Sequence, residues 1–465
     1  MFDRSAQRRG EPGRRRMVHL GSSDRPDRAA DDGPTAAERV SRRRFLHRAL
    51  AAGTATGLVL AASPRPSWGR DRSPNEKLNL GIIGVAARGA ENLNGVAGEN
   101  IVALCDVDAK RLAQAAERFP KAATYVDFRK LLERNDLDAV VVSTPDHTHA
   151  IPVVGALKAG LDVYCEKPLA HSVWEVRQMR NWAQRQQAVT QMGTQIHAGD
   201  NYRRVVEIVQ AGLLGPIQRV HVWQGNSVRP GVRVSQADPP PHVEYDLWIG
   251  PAPMRPYDPS HFHFNWRYWW DFGGGILADM GCHYIDLPFW ALGLRAPERV
   301  AAQGEKTYEG DNDVPDRLRV DWHFPARGEQ PPVHLTWYHG DWQPEGAEVY
   351  AKNSAVLFEG QHGRLLADYS THKLFLDDGQ SVATPEPTIP SSIGHHAEWI
   401  EACKTRGPTT CNFDYSGALA ETVLLGNVAY RAGEALEWNS ESLVATNCPQ
   451  AAQFVRREYR QGWSL

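Results

Sequence analysis

The chain has 465 residues, of which 42% are hydrophobic, and a formal net charge of −3, which suits a globular protein of two or three domains. The charge is uneven: residues 1–70 contain 15 Arg against 7 Asp and Glu, so the rest of the chain carries a net charge of −11. A body this acidic excludes a protein that binds nucleic acid through a basic surface. The six cysteines show no zinc-ligand spacing, so no metal site is predicted, and Cys403 with Cys411 is the candidate disulfide in an exported protein.

Residues 1–70 are predicted to lie outside the folded body. Residues 1–40 are rich in Arg, Asp, Gly and Pro, so a disordered extension is expected. Residues 41–70 begin with Ser-Arg-Arg-Arg-Phe-Leu and continue into a weakly apolar run that is too short for a stable membrane span. This pattern predicts a twin-arginine signal cleaved between Ala62 and Arg70, with a basic helix as the alternative. The protein is therefore expected to leave the cytoplasm by the Tat route and to be periplasmic or secreted.

Residues 78–106 have the pattern of a strand, a phosphate-binding loop, a helix and a second strand. Gly84 would form the tight turn, and Gly89 would let the helix lie close to the sheet. The N–H groups at the start of this helix would face a pyrophosphate. Asp106, at the tip of the second strand, would accept hydrogen bonds from both ribose hydroxyls. The pattern predicts a dinucleotide site, and the alternative is a glycine-rich turn of another α/β domain.

Two residues bear on the choice of dinucleotide. Ala86 replaces the middle glycine of G-x-G-x-x-G. Its methyl group leaves less room for the backbone to approach the pyrophosphate. Asp106 favours NAD over NADP, because its carboxylate would repel a 2′-phosphate, although the nearby Arg88 weakens that preference.

Strands and helices then alternate as far as residue 193, which predicts a doubly wound parallel Rossmann sheet in a domain spanning residues 77–197. Buried, β-branched runs mark the strands, as in parallel sheets. The predicted helices are 111–119, 127–135, 149–160 and 173–187, and the predicted strands are 137–143, 162–165 and 188–193.

Residues 198–465 are predicted to form a second, α+β domain with a mostly antiparallel sheet. A long Pro- and Gly-rich stretch at 226–262 is typical of a loop that serves a site or an interface. The last long helix would be capped by Asp414. The predicted helices are 202–211, 275–292, 394–405 and 415–431, and the predicted strands are 217–224, 317–324, 333–338, 355–359 and 364–367.

Two motifs carry candidate catalytic groups. Glu166-Lys167-Pro168 follows a parallel strand, at the sheet edge where ligands bind. Lys167 could hold a hydroxyl and stabilise negative charge on its oxygen. Asp279 and His283 are four residues apart and so share one helix face. The carboxylate would pair with the imidazole and raise its basicity, which suits removal of a hydroxyl proton.

An aromatic cluster at residues 265–272 is the candidate substrate surface. Sugars stack their C–H faces on aromatic rings and bind polar groups at the rim. Equally, such a cluster can be protein core or a subunit interface. The residues assigned to substrate are Trp266, Arg267, Tyr268 and Trp269.

Together these motifs, with Thr144-Pro145-Asp146-His147-Thr148-His149, resemble the Gfo/Idh/MocA family of oxidoreductases between residues 77 and 438. Met192–His197 and Asn201–Arg204 look like the exported members that carry twin-arginine signals. The resemblance implies a catalytic lysine at Lys167, catalytic Asp279 and His283, a cis peptide between Lys167 and Pro168, and an open sheet that forms homo-oligomers. Asp146 departs from the family, where Asn is common. The cofactor-binding residues expected in all are Gly84, Ala86, Ala87, Arg88, Gly89, Asp106, Ser143, Thr144, Pro145, His147, His149, Glu166, Lys167 and Gln195.

The leading hypothesis is an exported NAD-dependent oxidoreductase that acts on a sugar, polyol or glycoside by hydride transfer to a tightly bound nicotinamide. The alternative is an NAD-dependent glycosidase that works by transient oxidation, elimination, hydration and re-reduction. A second alternative is a non-catalytic sensor that binds dinucleotide. The expected partners are a small carbohydrate, the Tat export machinery and further copies of the chain.

Overall fold

The computed structural model describes residues 76–226, 228–232, 237–379 and 385–465. The predicted extension and twin-arginine signal at residues 1–70 lie outside these ranges. The described residues all belong to one compact unit. Within the described ranges, no helix combines the length and apolar character that a membrane crossing requires.

Residues 79–192 form a six-stranded parallel sheet and its helices. All four residues of the strands at 139–142 and 162–165 are buried, as in a sheet covered on both faces. The elements are β1 (Asn79–Ile83), α1 (Arg88–Gly95), β2 (Asn100–Cys105), α2 (Ala109–Arg118), β3 (Ala123–Tyr125), α3 (Phe128–Leu132), β4 (Ala139–Val142), α4 (Ala150–Lys158), β5 (Asp162–Cys165), α5 (Val173–Gln186) and β6 (Thr190–Met192). Each predicted element is present, although the helix predicted at 127–135 is only five residues long.

The strand order β3-β2-β1-β4-β5-β6 runs outwards from β1 in both directions. The chain therefore reverses its winding between β1 and β4, and ligands of open α/β sheets bind at such a switch point. The loops after β1, β2, β4 and β5 all lie at this edge.

The rest of the described chain forms a nine-stranded sheet and its helices. The strand order is β13-β12-β11-β7-β10-β9-β8-β14-β15. All its pairs are antiparallel except β7 with β10, so the predicted α/β fold class is confirmed. The elements are α6 (Asp200–Gln210), β7 (Ile217–Gln224), α7 (Tyr245–Ile249), α8 (Gly275–Tyr284), α9 (Asp286–Ala291), β8 (Arg299–Glu305), β9 (Arg317–Phe324), β10 (Val333–His339), β11 (Ser354–Gly360), β12 (Gly363–Ala367), β13 (His372–Leu376), α10 (His395–Thr405), α11 (Phe413–Ala432), β14 (Leu436–Asn439), β15 (Val444–Ala445) and α12 (Ala452–Val455).

Two helix predictions were wrong in detail. The single helix predicted at 275–292 is two helices, because Pro288 lacks an N–H and its ring crowds the carbonyl of Tyr284, where α8 ends. The cap of α11 is Asn412 rather than Asp414. The Asn412 side chain accepts hydrogen bonds from the backbone N–H groups of Asp414 and Tyr415, which places the helix start earlier than predicted.

Cys403 and Cys411 are both buried and are not joined by a disulfide. The thiol of Cys403 instead hydrogen-bonds the carboxyl of Asp162, at the start of β5.

The C-terminal part of the chain returns to the first sheet. Helix α10 places Trp399, Ala402 and Cys403 in the same buried cluster as Leu80 of β1 and Leu93 of α1. Trp399 is fully buried. One face of the first sheet is therefore closed by a helix that the chain forms only after it has completed most of the second sheet.

Candidate active site

The turn between β1 and α1 has the close contacts that its glycines suggest. Gly84 has φ of +86°, and a Cβ there would lie 2.6 Å from the carbonyl oxygen of Ser143. A Cβ on Gly89 would lie 2.2 Å from the carbonyl oxygen of Gly84. No side chain caps α1 at its N-cap, Ala87, so the N–H groups of this turn can bind an anion.

Asp106 lies at the end of β2 beside this turn. Its carboxylate accepts hydrogen bonds from the backbone N–H groups of Val85 and Asp108, each at 3.0 Å. These two bonds fix the carboxylate and leave it lone pairs for the hydroxyls of a ribose. The turn and Asp106 together fit the adenosine diphosphate half of a dinucleotide.

A cavity of about 900 Å³ runs from this turn to helix α8. Of the predicted cofactor residues, those that line it are Gly84, Ala86, Ala87, Arg88, Asp106, Ser143, Thr144, Pro145, Glu166, Lys167 and Gln195. The predicted catalytic residues Lys167, Asp279 and His283 line its other end. The structure thus brings residues from the loops after five strands and from a distant helix to one cavity.

Lys167 is clamped at the catalytic end of the cavity. Its ammonium donates hydrogen bonds to the carboxylate of Asp279 at 2.5 Å and to the backbone carbonyl of Asp279 at 2.6 Å. Arg267 donates to the same carboxylate oxygen at 2.9 Å. Burial would raise the pKa of Asp279, but Lys167 and Arg267 lower it far below its ordinary value. The peptide bond between Lys167 and Pro168 is cis, as the resemblance implies.

His283 differs from the expected arrangement. The carboxylate of Asp279 is occupied by Lys167 and Arg267, and the Nδ1 atom of His283 is buried without a hydrogen-bond partner among the described residues. Asp279 therefore anchors two cations instead of orienting the imidazole. Burial and the charge of Lys167 lower the pKa of His283 to about 3, so the ring is neutral at pH 7 and is a weaker base than a free imidazole.

Glu166 is held by a network from three elements. One carboxylate oxygen accepts hydrogen bonds from the side-chain amides of Asn92 in α1, at 2.9 Å, and Gln195 after β6, at 2.8 Å. The other accepts from the backbone N–H of Lys167 at 3.2 Å. Glu166 is thus committed to positioning the lysine loop against α1.

Two predicted cofactor residues lie behind the cavity wall. The Nε2 atom of His147 lies 2.9 Å from the carbonyl oxygen of Trp248. The ring nitrogens of His149 lie 2.9 and 2.7 Å from the carbonyl oxygens of Pro168 and Thr144. Neither imidazole lines the cavity, so the structure gives both rings a packing role that joins neighbouring loops.

Part of the aromatic cluster fits the substrate-surface interpretation and part fits the protein-core interpretation. Trp266 and Arg267 line the cavity, with the guanidinium 4.2 Å from the ring centroid of Trp266. Tyr268 and Trp269 do not line it and are buried in the protein core. The core interpretation therefore holds for the second pair, because the short helical turn at 265–268 directs its side chains to different sides.

Residues 237–272, termed here the roof segment, contribute side chains to the wall of the cavity. Its backbone pairs with the turn between β2 and α2: Ala109 N–H donates to His242 O at 2.8 Å, and Glu244 N–H donates to Val107 O at 2.9 Å. His263 adds a contact of 3.1 Å to the carboxylate of Asp108. Cavity-lining residues of the roof segment that the sequence did not indicate are Leu247, Trp248, His263 and Phe264.

A larger groove, of about 1060 Å³, lies between α5 and α11. Four of the arginines that line it are paired with carboxylates, as Arg177 and Arg180 are with Glu421. We place the active site in the other cavity, where Lys167, Asp279 and His283 meet the glycine turn.

Comparison with known proteins identifies the family. Residues 78–194 match the NAD-binding Rossmann domain of the Gfo/Idh/MocA oxidoreductases, and residues 201–325 match the C-terminal α/β domain of the same family. The two matches lie in the expected order and cover just over half of the chain. The chain belongs to the Gfo/Idh/MocA family.

Relatives with names of two kinds are similar to this Gfo/Idh/MocA chain. An α-N-acetylgalactosaminidase of Shewanella oneidensis is 31% identical over 206 residues, 38% of this chain and 44% of the relative. A myo-inositol 2-dehydrogenase of Thermotoga maritima is 27% identical over 231 residues, 49% of this chain and 58% of the relative. The chain thus spans about half the length of these curated relatives.

Solved structures share the fold of this Gfo/Idh/MocA chain at low identity. The WlbA dehydrogenase of Chromobacterium violaceum, in complex with NADH and UDP-GlcNAcA, aligns with a TM-score of 0.59 and 18% identity, covering 78% of this chain and 97% of that one.

One further cavity residue lies outside the family motifs. Tyr369, in the turn between β12 and β13, lines the cavity and stacks on Tyr284 with ring centroids 4.6 Å apart. Its turn is tied to α6, because the Asn201 side chain donates to the carbonyls of Asp368 and Thr371 at 2.8 and 3.0 Å. No local sequence signal marks Tyr369, since its role depends on strand pairing.

Proposed function

We propose that this protein is an NAD-dependent oxidoreductase that oxidises a CH–OH group of a sugar, polyol or glycoside. The observation that carries the proposal is the position of the Lys167 ammonium. Asp279 holds it at the wall of a cavity that is also lined by the glycine turn, Asp106 and neutral His283. Bound NAD would supply the hydride acceptor. Asp106 supports NAD over NADP, because a second anion at its position would be repelled.

The chain's own residues have separable tasks in this proposal. The ammonium of Lys167 uses two hydrogen bonds on Asp279, so a third N–H is left to hold the substrate oxygen and stabilise negative charge that develops there. His283 lines the same end of the cavity as Lys167, and in this proposal its neutral imidazole accepts the hydroxyl proton. Trp266 and Arg267 offer an apolar face with a polar rim, which suits the C–H face and hydroxyls of a sugar.

We propose that the cofactor stays bound through turnover. The roof segment lines the cavity and is attached next to Asp106 by two backbone hydrogen bonds and the His263–Asp108 contact. In this proposal those contacts must break before the dinucleotide can leave. Retention also suits an exported enzyme, since a compartment outside the cytoplasm holds little free NAD.

Mass analysis of the nucleotide released on denaturation tests the cofactor, and absorbance of reduced nicotinamide on mixing with a panel of sugars and polyols tests the reaction. We expect NAD to be released, and reduction to fall about 100-fold or more in Lys167→Ala and His283→Ala. Unchanged reduction in both variants, or the absence of any dinucleotide, refutes the proposal. A non-catalytic sensor, the second alternative, would bind NAD and reduce none.

The glycosidase alternative is supported by the relative named α-N-acetylgalactosaminidase. In that reaction the substrate is oxidised, loses its aglycone, takes up water and is reduced again, so the cofactor ends as it began. Incubation with aryl glycosides and no added cofactor separates the two functions. Aglycone release without net reduction of nicotinamide favours the glycosidase, and net reduction without aglycone favours the dehydrogenase.

We further propose export by the Tat route and self-association through the second sheet. The twin-arginine pattern in residues 41–70 supports export, and fractionation of cells expressing Arg42, Arg43 and Arg44 as lysines tests it. The resemblance of this sheet to the open sheet of the family supports self-association. Analytical ultracentrifugation tests the oligomer, which a monomer at all concentrations would exclude.

A further inference from the structure

Helix α10 contributes a histidine to the far side of the network that holds Glu166. His396 lies in the first turn of α10, outside both segments that match the family, and it is not among the residues that line the cavity. Its Nε2 atom lies 2.9 Å from the side-chain oxygen of Asn92, which is fully buried in α1. The amide nitrogen of Asn92 in turn donates to Glu166. His396 therefore reaches the carboxylate that positions the Lys167 loop through one intervening side chain.

The neighbours of Asn92 fix the orientation of its amide and the tautomer of His396. The amide nitrogen donates hydrogen bonds to the Glu166 carboxylate and to the hydroxyl oxygen of Ser143, each at 2.9 Å. A carboxylate only accepts and an amide nitrogen only donates, so the nitrogen must face Glu166 and the amide oxygen must face His396. That oxygen accepts only from a ring nitrogen that carries a proton, so His396 must be protonated on Nε2. Burial and the charge of Arg88 lower the pKa of His396, which leaves the ring neutral at pH 7.

The ring of His396 also supports a second arm of the same network. It stacks on Tyr164 of β5, with ring centroids 5.1 Å apart and planes inclined by 19°. The Tyr164 hydroxyl accepts a hydrogen bond from the side-chain nitrogen of Gln195 at 2.9 Å, and that nitrogen also donates to Glu166 at 2.8 Å. Both arms end on the same oxygen of Glu166, one through Asn92 and one through Gln195. His396 contacts the start of each arm.

Close packing leaves this network little room to rearrange. A Cβ on Gly193 would overlap the carboxylate of Glu166, so the carboxylate fits only because residue 193 has no side chain. Removal of the His396 donor would take away the hydrogen bond of the buried Asn92 oxygen, which is unfavourable. The amide could regain a partner by rotating until this oxygen accepts from the Ser143 hydroxyl. That rotation would take the amide nitrogen away from Glu166.

We propose that His396 is a positioning residue for the active site. Its Nε2–H group fixes the amide of Asn92, and that amide holds helix α1 against Glu166. The contact sets the position of the lysine loop and of the helix whose first N–H groups face the dinucleotide. The inference rests on the proposed function for its effect on the reaction, whereas its effect on α1 can be measured without any turnover.

Two substitutions separate the hydrogen bond of His396 from its packing. His396→Phe keeps a ring that can stack on Tyr164 but has no donor, and His396→Gln lacks the ring but places an N–H donor close to the position of Nε2. Lys404→Gln is the control, because it breaks the 2.7 Å ion pair of α10 with Glu99, away from the Glu166 network. If His396 served packing alone, the Phe variant would resemble wild type more closely than the Gln variant. A positioning role predicts the reverse order.

Two measurements compare these variants with wild type. Isothermal titration calorimetry on protein stripped of nucleotide measures the affinity for NAD, and nicotinamide absorbance measures kcat and KM with a sugar or polyol that the wild type oxidises. We expect His396→Phe to raise the Kd for NAD and to lower kcat about tenfold each, with KM changed less than about twofold. His396→Gln should recover most of both losses, and Lys404→Gln should lower only the melting temperature. Wild-type Kd and kcat in His396→Phe, or greater losses in His396→Gln, overturn the proposal.

NMR of protein that contains ¹⁵N-labelled histidine tests the hydrogen bond directly. The signal of His396, identified by its absence from His396→Phe, should show a neutral ring with its proton on Nε2. A proton on Nδ1 overturns the proposal, because that tautomer cannot donate to Asn92. If the wild type oxidises no sugar or polyol of the panel, the proposed function fails. The order of the NAD affinities and the tautomer then still decide whether His396 positions α1.

Discussion

The close contact between Gly89 and Gly84 predicts that a methyl group added at residue 89 will push helix α1 away from the sheet. In Gly89→Ala the new Cβ would lie 2.2 Å from the carbonyl oxygen of Gly84, whereas ordinary contact begins at 3.4 Å. The obstructing atom is backbone, so it cannot turn aside like a flexible side chain. The start of helix α1 must therefore move away from the carbonyl oxygen of Gly84 by the difference between these two distances.

This displacement affects both the stability of the fold and the affinity for nucleotide. Overpacking of this kind costs about 1–3 kcal/mol of folding free energy, which lowers the melting temperature by a few degrees in a chain of this length. A hydrogen bond from the turn to a phosphate, stretched by that amount from its usual length of about 2.9 Å, is lost. Each such bond to a charged group contributes about 1.5–3 kcal/mol, so we expect the Kd for NAD to rise about 10- to 100-fold.

Gly98 provides the matched control in the same βαβ unit. A Cβ there meets nothing within 4 Å, and Gly98 is not among the glycines with positive φ. Differential scanning fluorimetry would measure stability, and isothermal titration calorimetry on protein stripped of nucleotide would measure affinity. Gly98→Ala should match wild type in both. Wild-type affinity in Gly89→Ala would refute the assignment of the phosphate site to this turn.

Two further predictions concern the clamp and the roof. Asp279→Asn removes the anion shared by Lys167 and Arg267. Because the Asp279 side chain is 25% exposed, we expect a loss of about 1–3 kcal/mol in folding free energy, and we expect nicotinamide reduction to fall at least 100-fold. A variant with wild-type melting temperature and turnover would contradict the role of Asp279 in holding the two cations. His263→Ala removes the 3.1 Å contact to Asp108 and should speed NAD dissociation up to about tenfold, measured by exchange with labelled NAD; an unchanged rate would show that the roof does not retain the cofactor.

The sequence was most informative where local geometry decides the structure. The glycine turn, the acid at the end of β2 and the lysine after β5 are encoded by short patterns whose physical reasons are local, and all three line one cavity. The alternation of buried runs also indicated the first sheet almost element by element. In such places propensity, burial and turn chemistry agree, so pattern and structure coincide.

Long-range competition accounts for the main errors at the site. The spacing of Asp279 and His283 correctly placed both on one helix face, but the carboxylate binds Lys167, which is 112 residues away, and Arg267. A charged donor makes a stronger hydrogen bond than a neutral imidazole, and helical spacing contains no information about which distant cation arrives. The same limit applies to Tyr268 and Trp269, whose burial depends on the packing of the roof segment.

The roof segment itself illustrates why irregular stretches resist prediction. Its attachment to the first sheet depends on single backbone hydrogen bonds, such as that between Glu244 and Val107. Backbone pairing of this kind leaves no side-chain signature, so the length of the stretch was the only usable signal. That length predicted a segment that serves a site or an interface, and residues of the roof segment line the cavity.

Helix α10 has a consequence for how the protein can be made. Because Trp399 completes the apolar packing over Leu80 and Leu93, the nucleotide-binding half cannot finish its interior until the ribosome has synthesised most of the polypeptide. A fragment that ends at residue 197 would expose the apolar surface around Leu80 and Leu93 to water, which favours aggregation. Expression trials should therefore treat residues 76–465 as a single folding unit, even though two family domains can be recognised within it.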